Sequence, residues 1–401
     1  MRKLLIVLIG FLVVSIFTSV TAATPKKWTF LIYLNGNNSL DKFSTDNIKS
    51  MEKVGSNDEV NVIVQWASLA KRKTVRLFIK KSTNPNKIMS PVIENLGLVD
   101  MGKYTTLEDF IKWGVEHYPA EHYFIDVWNH GSGWHVAARN ASPGFHPMDI
   151  SWDDLSGNSI TTEQLGQSMA YAARLIGHKV DLYGSDACLM GMAEVANEMS
   201  DFVSYYVGSQ ELEPGAGWPY AELLAGWEAI PNARADQVAT VLVDEYIKSY
   251  EGGSNGTDDA TLSAYDLDKL AAFNRAFAEL GATIQQLNGT DRARIREAAK
   301  HVQSFGSPDY ADMLDFVDKL KVLHLPIPAD SFANVEATAN QLIIANADTP
   351  KYKHATGLSI WLPVDDYNGF ISRSARYRNL QFNVNTHWID VLNALLSQEA
   401  R

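Results

Sequence analysis

From Lys26 onward the chain alternates short, apolar, β-branched runs with segments whose apolar residues recur at helical spacing. That alternation restricts the fold to a mostly parallel sheet covered by helices on both faces. KKWTFLIYLNGN reads as a first strand and LDKFSTDNIKSMEKVG as the helix after it. VNVIVQWAS is a second strand, and TVRLFIKK reads as part of a hairpin. TTLEDFIKWGVEHY is a helix carried into the strand before His130, TTEQLGQSMAYAARLI is a helix carried into the strand before Cys188, and FVSYYVGSQE is a further strand. In such a sheet the crossovers are right-handed and ligand sites form beyond the carboxyl ends of the strands. His130 and Cys188 both fall at that edge.

Cys188 is the only cysteine in 401 residues. Taken alone it reads as a small apolar residue filling a core gap, and His130 alone as a hydrogen-bonded surface histidine. Their joint setting changes the reading, because each ends an apolar run and each is flanked by glycine or other small residues. A thiolate at a strand end, beside free backbone N–H groups, is a nucleophile, and a histidine within reach supplies the base and acid. Gly131 lets the chain approach a substrate without a side chain, so its N–H and that of Cys188 are expected to donate to a developing oxyanion. Structural turns use glycine too.

Residues 1–23, MRKLLIVLIGFLVVSIFTSVTAA, have the form of a signal peptide: Arg2 and Lys3, an apolar stretch from Leu4 to Phe17, then a small-residue exit with Val20 and Ala22 suited to signal peptidase. The apolar run is shorter than the roughly 18 to 20 residues needed to cross a bilayer, so the mature chain is expected to be exported, periplasmic or extracellular, without stable membrane insertion. One cysteine excludes an internal disulfide, and stability must come from hydrophobic cores. A formal net charge of −12 argues against nucleic acid as a partner. LNGNNSL lacks a dinucleotide fingerprint and LYGSDACLMG lacks a phosphate loop with its lysine, so no cofactor is required by these motifs.

KWTFLIYLNGNNSL, DVWNHGSGW, LYGSDACLMGMAEVA and SQELEPGAGWPY together resemble the clostripain family of cysteine peptidases, from about Trp28 to Glu228, and GLSIWLP at 357–363 resembles the family's late strand. The resemblance implies a caspase-like αβα sandwich with a mostly parallel central sheet, and an endopeptidase whose dyad is His130 and Cys188, acting on protein or peptide substrates with a basic P1 residue. Asp186, two positions before Cys188, shares a face with it along an extended strand, and its carboxylate suits substrate Arg or Lys. It also suits holding a nearby loop through backbone hydrogen bonds. In the loop after the next strand, Glu211 offers negative potential and Trp218 either lies along an apolar substrate stem or packs in the core. Some relatives carry a further aspartate in this loop, where Ala216 and Pro219 stand here. Between His130 and the next helix lies a long polar insert, and the resemblance implies self-cleavage there after Arg139. Asp149, Asp153 and Asp154 offer oxygen ligands to calcium, on which some family members depend, but without EF-hand spacing.

The domain plan expected is a signal peptide at 1–23, a caspase-like catalytic core at 24–230, and an additional helical C-terminal region at 231–401 whose late strand completes or flanks the core. ELLAGWEAI, ADQVATVLVDEYIKSY and the segments from Leu267 onward read as helices, with ATLSAYDL as a strand among them. An alternative of another class is an exported binding or adhesion protein on a peptidase-like scaffold.

Overall fold

The computed structural model describes residues 25–135 and 149–397. The export segment 1–23 and the processing residue Arg139 lie outside the described residues.

In the first half, strands β1 (Lys26–Gly36), β2 (Val60–Ser68), β3 (Lys73–Phe78), β4 (Val92–Gly97) and β5 (Ala120–Trp128) are joined through helices α1 (Asp41–Glu52) and α2 (Tyr104–His117). A short hairpin, β6 (Ile150–Asp153) and β7 (Asn158–Ile160), leads into α3 (Thr162–Ile176), β8 (Val180–Asp186), α4 (Ala193–Met199) and β9 (Val203–Gly208). Helices α5 (Tyr220–Glu228) and α6 (Ala235–Tyr250) follow. The remaining strands are β10 (Glu251–Gly253), β11 (Gly256–Thr257), β12 (Thr261–Asp266), β13 (Tyr310–Asp312), β14 (Ile343–Asp348) and β15 (Ser359–Trp361), with helices between and after them. The main sheet has nine strands in the order β14-β12-β9-β8-β5-β1-β2-β3-β4. Its centre, β9-β8-β5-β1-β2, is parallel, and antiparallel strands extend both sides. This is the expected αβα sandwich.

The two faces follow from the period of two along each strand. Phe30, Ile32 and Leu34 of β1 point into one core with Ile48 and Met51 of α1, Leu224 and Trp227 of α5, and Leu242 and Tyr246 of α6. Leu31 and Tyr33 point into the other, with Phe110 of α2, Met169 of α3 and Val195 of α4. Burying one such large apolar side chain contributes roughly 1.5–3 kcal/mol, and two full faces of them account for a chain that holds together without disulfides. Helix α3 is bounded by a capping box of Thr161 and Gln164 and by Gly177 in the left-handed region at φ 89°.

The C-terminal region supplies two strands to the main sheet and sets a third beside it. The strand added beside β9 is β12, and beyond it β14, which follows the helix Ala329–Leu342 without a break. The late strand β15 instead pairs with β13 in a two-stranded ladder and makes a parallel bridge to Met192. It braces the segment after Cys188: the Ser359 N–H and hydroxyl both donate to the Gly191 carbonyl at 3.0 Å, and the Trp361 N–H donates to Glu194 Oε1 at 2.9 Å. Among the described residues, no helix is long and apolar enough to cross a membrane.

Candidate active site

The register of the parallel centre brings three strand ends together. Leu34 of β1 lies beside Trp128 of β5, and Trp128 beside Asp186 of β8. The Asn129 N–H donates to the Asp186 carbonyl at 3.1 Å, and Asn129 Nδ2 to the Asn35 carbonyl at 2.6 Å. The loops that leave β1, β5 and β8 are therefore fastened to one another at the carboxyl edge.

Cys188 stands in the turn beyond β8, not on a helix: α4 starts only at Ala193, and Leu189 takes a left-handed φ of 62°. That conformation is costly for a branched side chain and persists because the surroundings impose it. The Leu189 N–H donates to the Glu211 carbonyl at 3.0 Å and the Gly191 N–H to the Ser209 carbonyl at 2.6 Å. Gly191 is required by this approach, since a Cβ there would lie 2.8 Å from the Ser209 carbonyl carbon. Cys188 is half-buried, and its Sγ accepts a hydrogen bond from the Glu213 N–H at 3.2 Å. Burial pushes the thiol up to about 11, with the Glu211 and Asp186 charges adding to it against that hydrogen bond.

His130 follows Asn129 at the end of β5. Its Nε2 meets the Ser39 hydroxyl at 3.0 Å, in the loop after β1. Its carbonyl accepts from the Ser151 N–H at 3.3 Å, and Gly131 bridges Ile150 of the β6–β7 hairpin. A Cβ on Gly131 would lie 2.5 Å from the Cys188 carbonyl oxygen and 3.0 Å from Ala187 Cβ. The missing side chain is what lets the histidine loop lie against the cysteine turn. His130 and Cys188 line one cleft of about 260 Å³, together with Asp186 and the loop Leu212–Gly215.

The acid end of this cleft is larger than the sequence reading expects. Asp186 is buried and accepts from the Trp218 N–H at 3.2 Å and the Tyr220 hydroxyl at 2.8 Å. The same hydroxyl lies 2.7 Å from Asp126 Oδ2, and the Asp186 N–H lies 3.4 Å from Asp126 Oδ1. The Glu213 carboxyl, from the loop after β9, faces that of Asp186, and both of its oxygens are buried with no hydrogen-bond partner among the described residues. Burial, and next the charge of a neighbouring carboxyl, push Asp126 and Glu213 well above the usual range, and burial raises Asp186 too. Gly217, at φ 66°, lets the loop pass Asp186 where a Cβ would sit 2.9 Å from its Oδ1.

The other expected substrate contacts lie elsewhere. Trp218 is a core residue, 1% exposed, and its ring tip closes on Gly184, where a Cβ would be 2.4 Å away. What it offers the site is its backbone N–H to Asp186. Glu211 is buried and its Oε1 accepts from the Leu212 N–H at 2.7 Å, with Tyr352 and Gly306 as further partners. It lies outside the lining of the cleft, and the glutamate that enters it is Glu213. Ser39 and Glu213 both stand in segments that the motifs cover, but nothing in their spacing distinguishes them from their neighbours.

The three aspartates considered for calcium are engaged separately. Asp149 caps α3 through the Thr162 N–H at 2.6 Å and pairs with Arg376, which also holds Glu163. Asp153 accepts from Asn37 Nδ2 at 2.9 Å and from the N–H groups of Met101, Leu155 and Ser156, while Asp154 accepts from Trp152 Nε1 at 2.6 Å. Donors of that kind and a guanidinium do not fit a calcium shell. Among the described residues, no three His, Cys, Asp or Glu side chains converge as a metal site.

Residues 32–394 match the profile of the clostripain family. Clostripain of Hathewaya histolytica is 26% identical over 318 residues, which cover 67% of this chain and 58% of that protein, so the chain spans less than two thirds of that relative's length. A secreted C11 cysteine protease of Bacteroides thetaiotaomicron, solved with an irreversible peptide inhibitor, matches with a TM-score of 0.68 at 19% identity over 90% of this chain and 99% of that one. An inactive zymogen C11 protease of Parabacteroides distasonis matches with a TM-score of 0.66 at 18% identity over 91% and 99%. These likenesses of structure establish a shared fold.

Proposed function

The chain belongs to the clostripain family, and from that membership we propose that it is an exported cysteine endopeptidase cutting on the carboxyl side of Arg or Lys. The observation that carries the reading is the single cleft lined by Cys188, His130 and Asp186. A nucleophile, a base and a buried acid are the parts that acyl transfer after a basic residue needs.

In this reading the Cys188 thiol passes its proton to His130 as sulfur attacks the scissile carbonyl, since a thiol held up to about 11 does not rest as a thiolate. The N–H groups of Cys188 and Gly131 stabilise the oxyanion. The carbon–nitrogen bond then breaks and His130 gives the proton to the leaving amine. Water, deprotonated by His130, attacks the thioester, and the carbon–sulfur bond breaks to restore Cys188. The family and the segment 1–23 support export, and the polar insert after His135 supports processing at Arg139 by the same specificity.

Folded Cys188→Ala and His130→Ala variants are expected to lose cleavage of Arg peptides by on the order of a thousandfold or more. Peptide panels with Arg, Lys and neutral P1 residues, read by mass spectrometry, measure it. Activity within about threefold of wild type in either variant contradicts the assignment.

A further inference from the structure

Resting on the reading of this cleft as the site for a basic P1 residue, the acid end carries a more specific conclusion. Both carboxyl oxygens of Glu213 are shielded from solvent, and no N–H or O–H group among the described residues donates to them. What faces them is the carboxyl of Asp186. Two carboxylates cannot hydrogen-bond to one another without a proton between them. On the far side, the one hydroxyl proton of Tyr220 serves positions 2.7 Å from Asp126 and 2.8 Å from Asp186, so it does not neutralise the cluster.

Among the described residues, the titratable groups that face the pair are acids, phenols and a thiol, with His130 in the same cleft. Asp126 faces it from β5, Cys188 from the turn after β8, Tyr206 from β9, Tyr220 from α5, and Tyr246 and Tyr250 from α6, while Glu211 lies beyond Cys188. His130 lines the same cleft. Leaving buried carboxyls without donors costs free energy unless a ligand supplies the donors. A guanidinium or ammonium is the ligand that does so, with N–H groups in number and a positive charge.

We propose that Glu213 is a second acid of the P1 pocket, and that Asp186 and Glu213 hold one proton between them in the empty cleft and release it to solvent when the substrate cation enters. The cation replaces the proton, so net charge in the pocket is conserved. Affinity for a basic P1 residue therefore rises with pH by up to tenfold per unit while the free pair is protonated, and levels off once the pair has lost its proton. A neutral isostere, such as a citrulline side chain, gains nothing from the rise.

The test uses full-length Cys188→Ala protein, which binds without cutting, and short peptides with Arg or citrulline at P1. Titration calorimetry in buffers of different ionisation enthalpy counts the protons exchanged. About one proton is expected to leave per Arg peptide bound and none per citrulline peptide, because only the cation displaces it. With Glu213→Gln added, Arg affinity is expected to fall by about ten- to a hundredfold and the proton release to vanish; Glu213→Asp, which keeps the acid, is expected to retain part of both. Arg binding without proton release, or Arg affinity unchanged in Glu213→Gln, overturns the proposal while leaving a basic pocket in place. An absence of any preference for Arg over citrulline overturns the basic pocket itself, and the proposal with it.

Discussion

At the scale of single residues, His130 Nε2 meets the Ser39 hydroxyl at 3.0 Å while Cys188 Sγ meets the Glu213 amide at 3.2 Å. Each member of the proposed dyad thus meets a group from a different loop, and in that reading Ser39 positions the imidazole. Ser39→Ala is expected to lower kcat roughly tenfold with KM nearly unchanged, because an imidazole that has lost this hydrogen bond spends less time aligned for proton transfer. Ser39→Thr, which keeps the hydroxyl, is expected to recover most of it. Steady-state kinetics with an Arg peptide separate the parameters, and a rise in KM at constant kcat contradicts the role. The placing of Cys188, His130 and Gly131 at one edge of the sheet was legible because each follows the end of an apolar run. That Asp186 lies in the same cleft as Cys188 was legible through their closeness in sequence, although the strand stops at Asp186 and Cys188 reaches the cleft from the turn beyond it. Glu211 and Glu213 were not separable, since a two-residue step in a loop containing Pro214 does not say which side chain turns inward. Trp218 was legible only as one of two uses, and burial assigns it to the core.

At the scale of elements, the parallel centre was readable because β1, β2, β5, β8 and β9 are buried on both faces and helices of clear period separate them. The edges were not, because β14 follows a helix without a breaker and β15 is three residues long, its place decided by tertiary pairing with β13. What β15 does became visible through α4, whose buried Glu194 accepts from the Trp361 N–H at 2.9 Å and the Tyr377 hydroxyl at 2.8 Å. Burial pushes the Glu194 carboxyl up to about 7 from an ordinary value of 4.5. The folded state therefore keeps a proton that the unfolded chain gives up. That contribution is full below the ordinary value and is lost as pH rises from about 4.5 through 7. Glu198, pushed up to about 7, and Asp312, to about 6, act in the same direction. Glu194→Gln, which keeps the acceptor oxygen, is expected to flatten the fall in stability between pH 5 and pH 7.5, read as urea midpoints. An identical pH dependence in both proteins contradicts the assignment.

At the scale of the whole molecule, the C-terminal region is part of the fold that carries the site. Leu31 and Tyr33 of the first strand share a core with Phe277, Trp361 and Trp388. Asp309 ties the two halves further: His135 Nε2 lies 3.1 Å from it and Trp361 Nε1 2.9 Å. Those hydrogen bonds, working against burial, hold the Asp309 carboxyl below the usual carboxylate range. The histidine loop is thus anchored to the C-terminal region on one side and to the cysteine turn on the other. In the proposed function these anchors assemble one nucleophile and one base in one cleft for a basic substrate. Covalent labelling by a peptide ketone with P1 Arg, read by mass spectrometry on wild-type, Cys188→Ala and His130→Ala proteins, tests it most directly. One label on Cys188 is expected in the wild type, none in Cys188→Ala, and labelling slowed on the order of a hundredfold or more in folded His130→Ala. A wild-type protein that stays unlabelled at saturating reagent, or that takes the label equally fast without His130, contradicts the account.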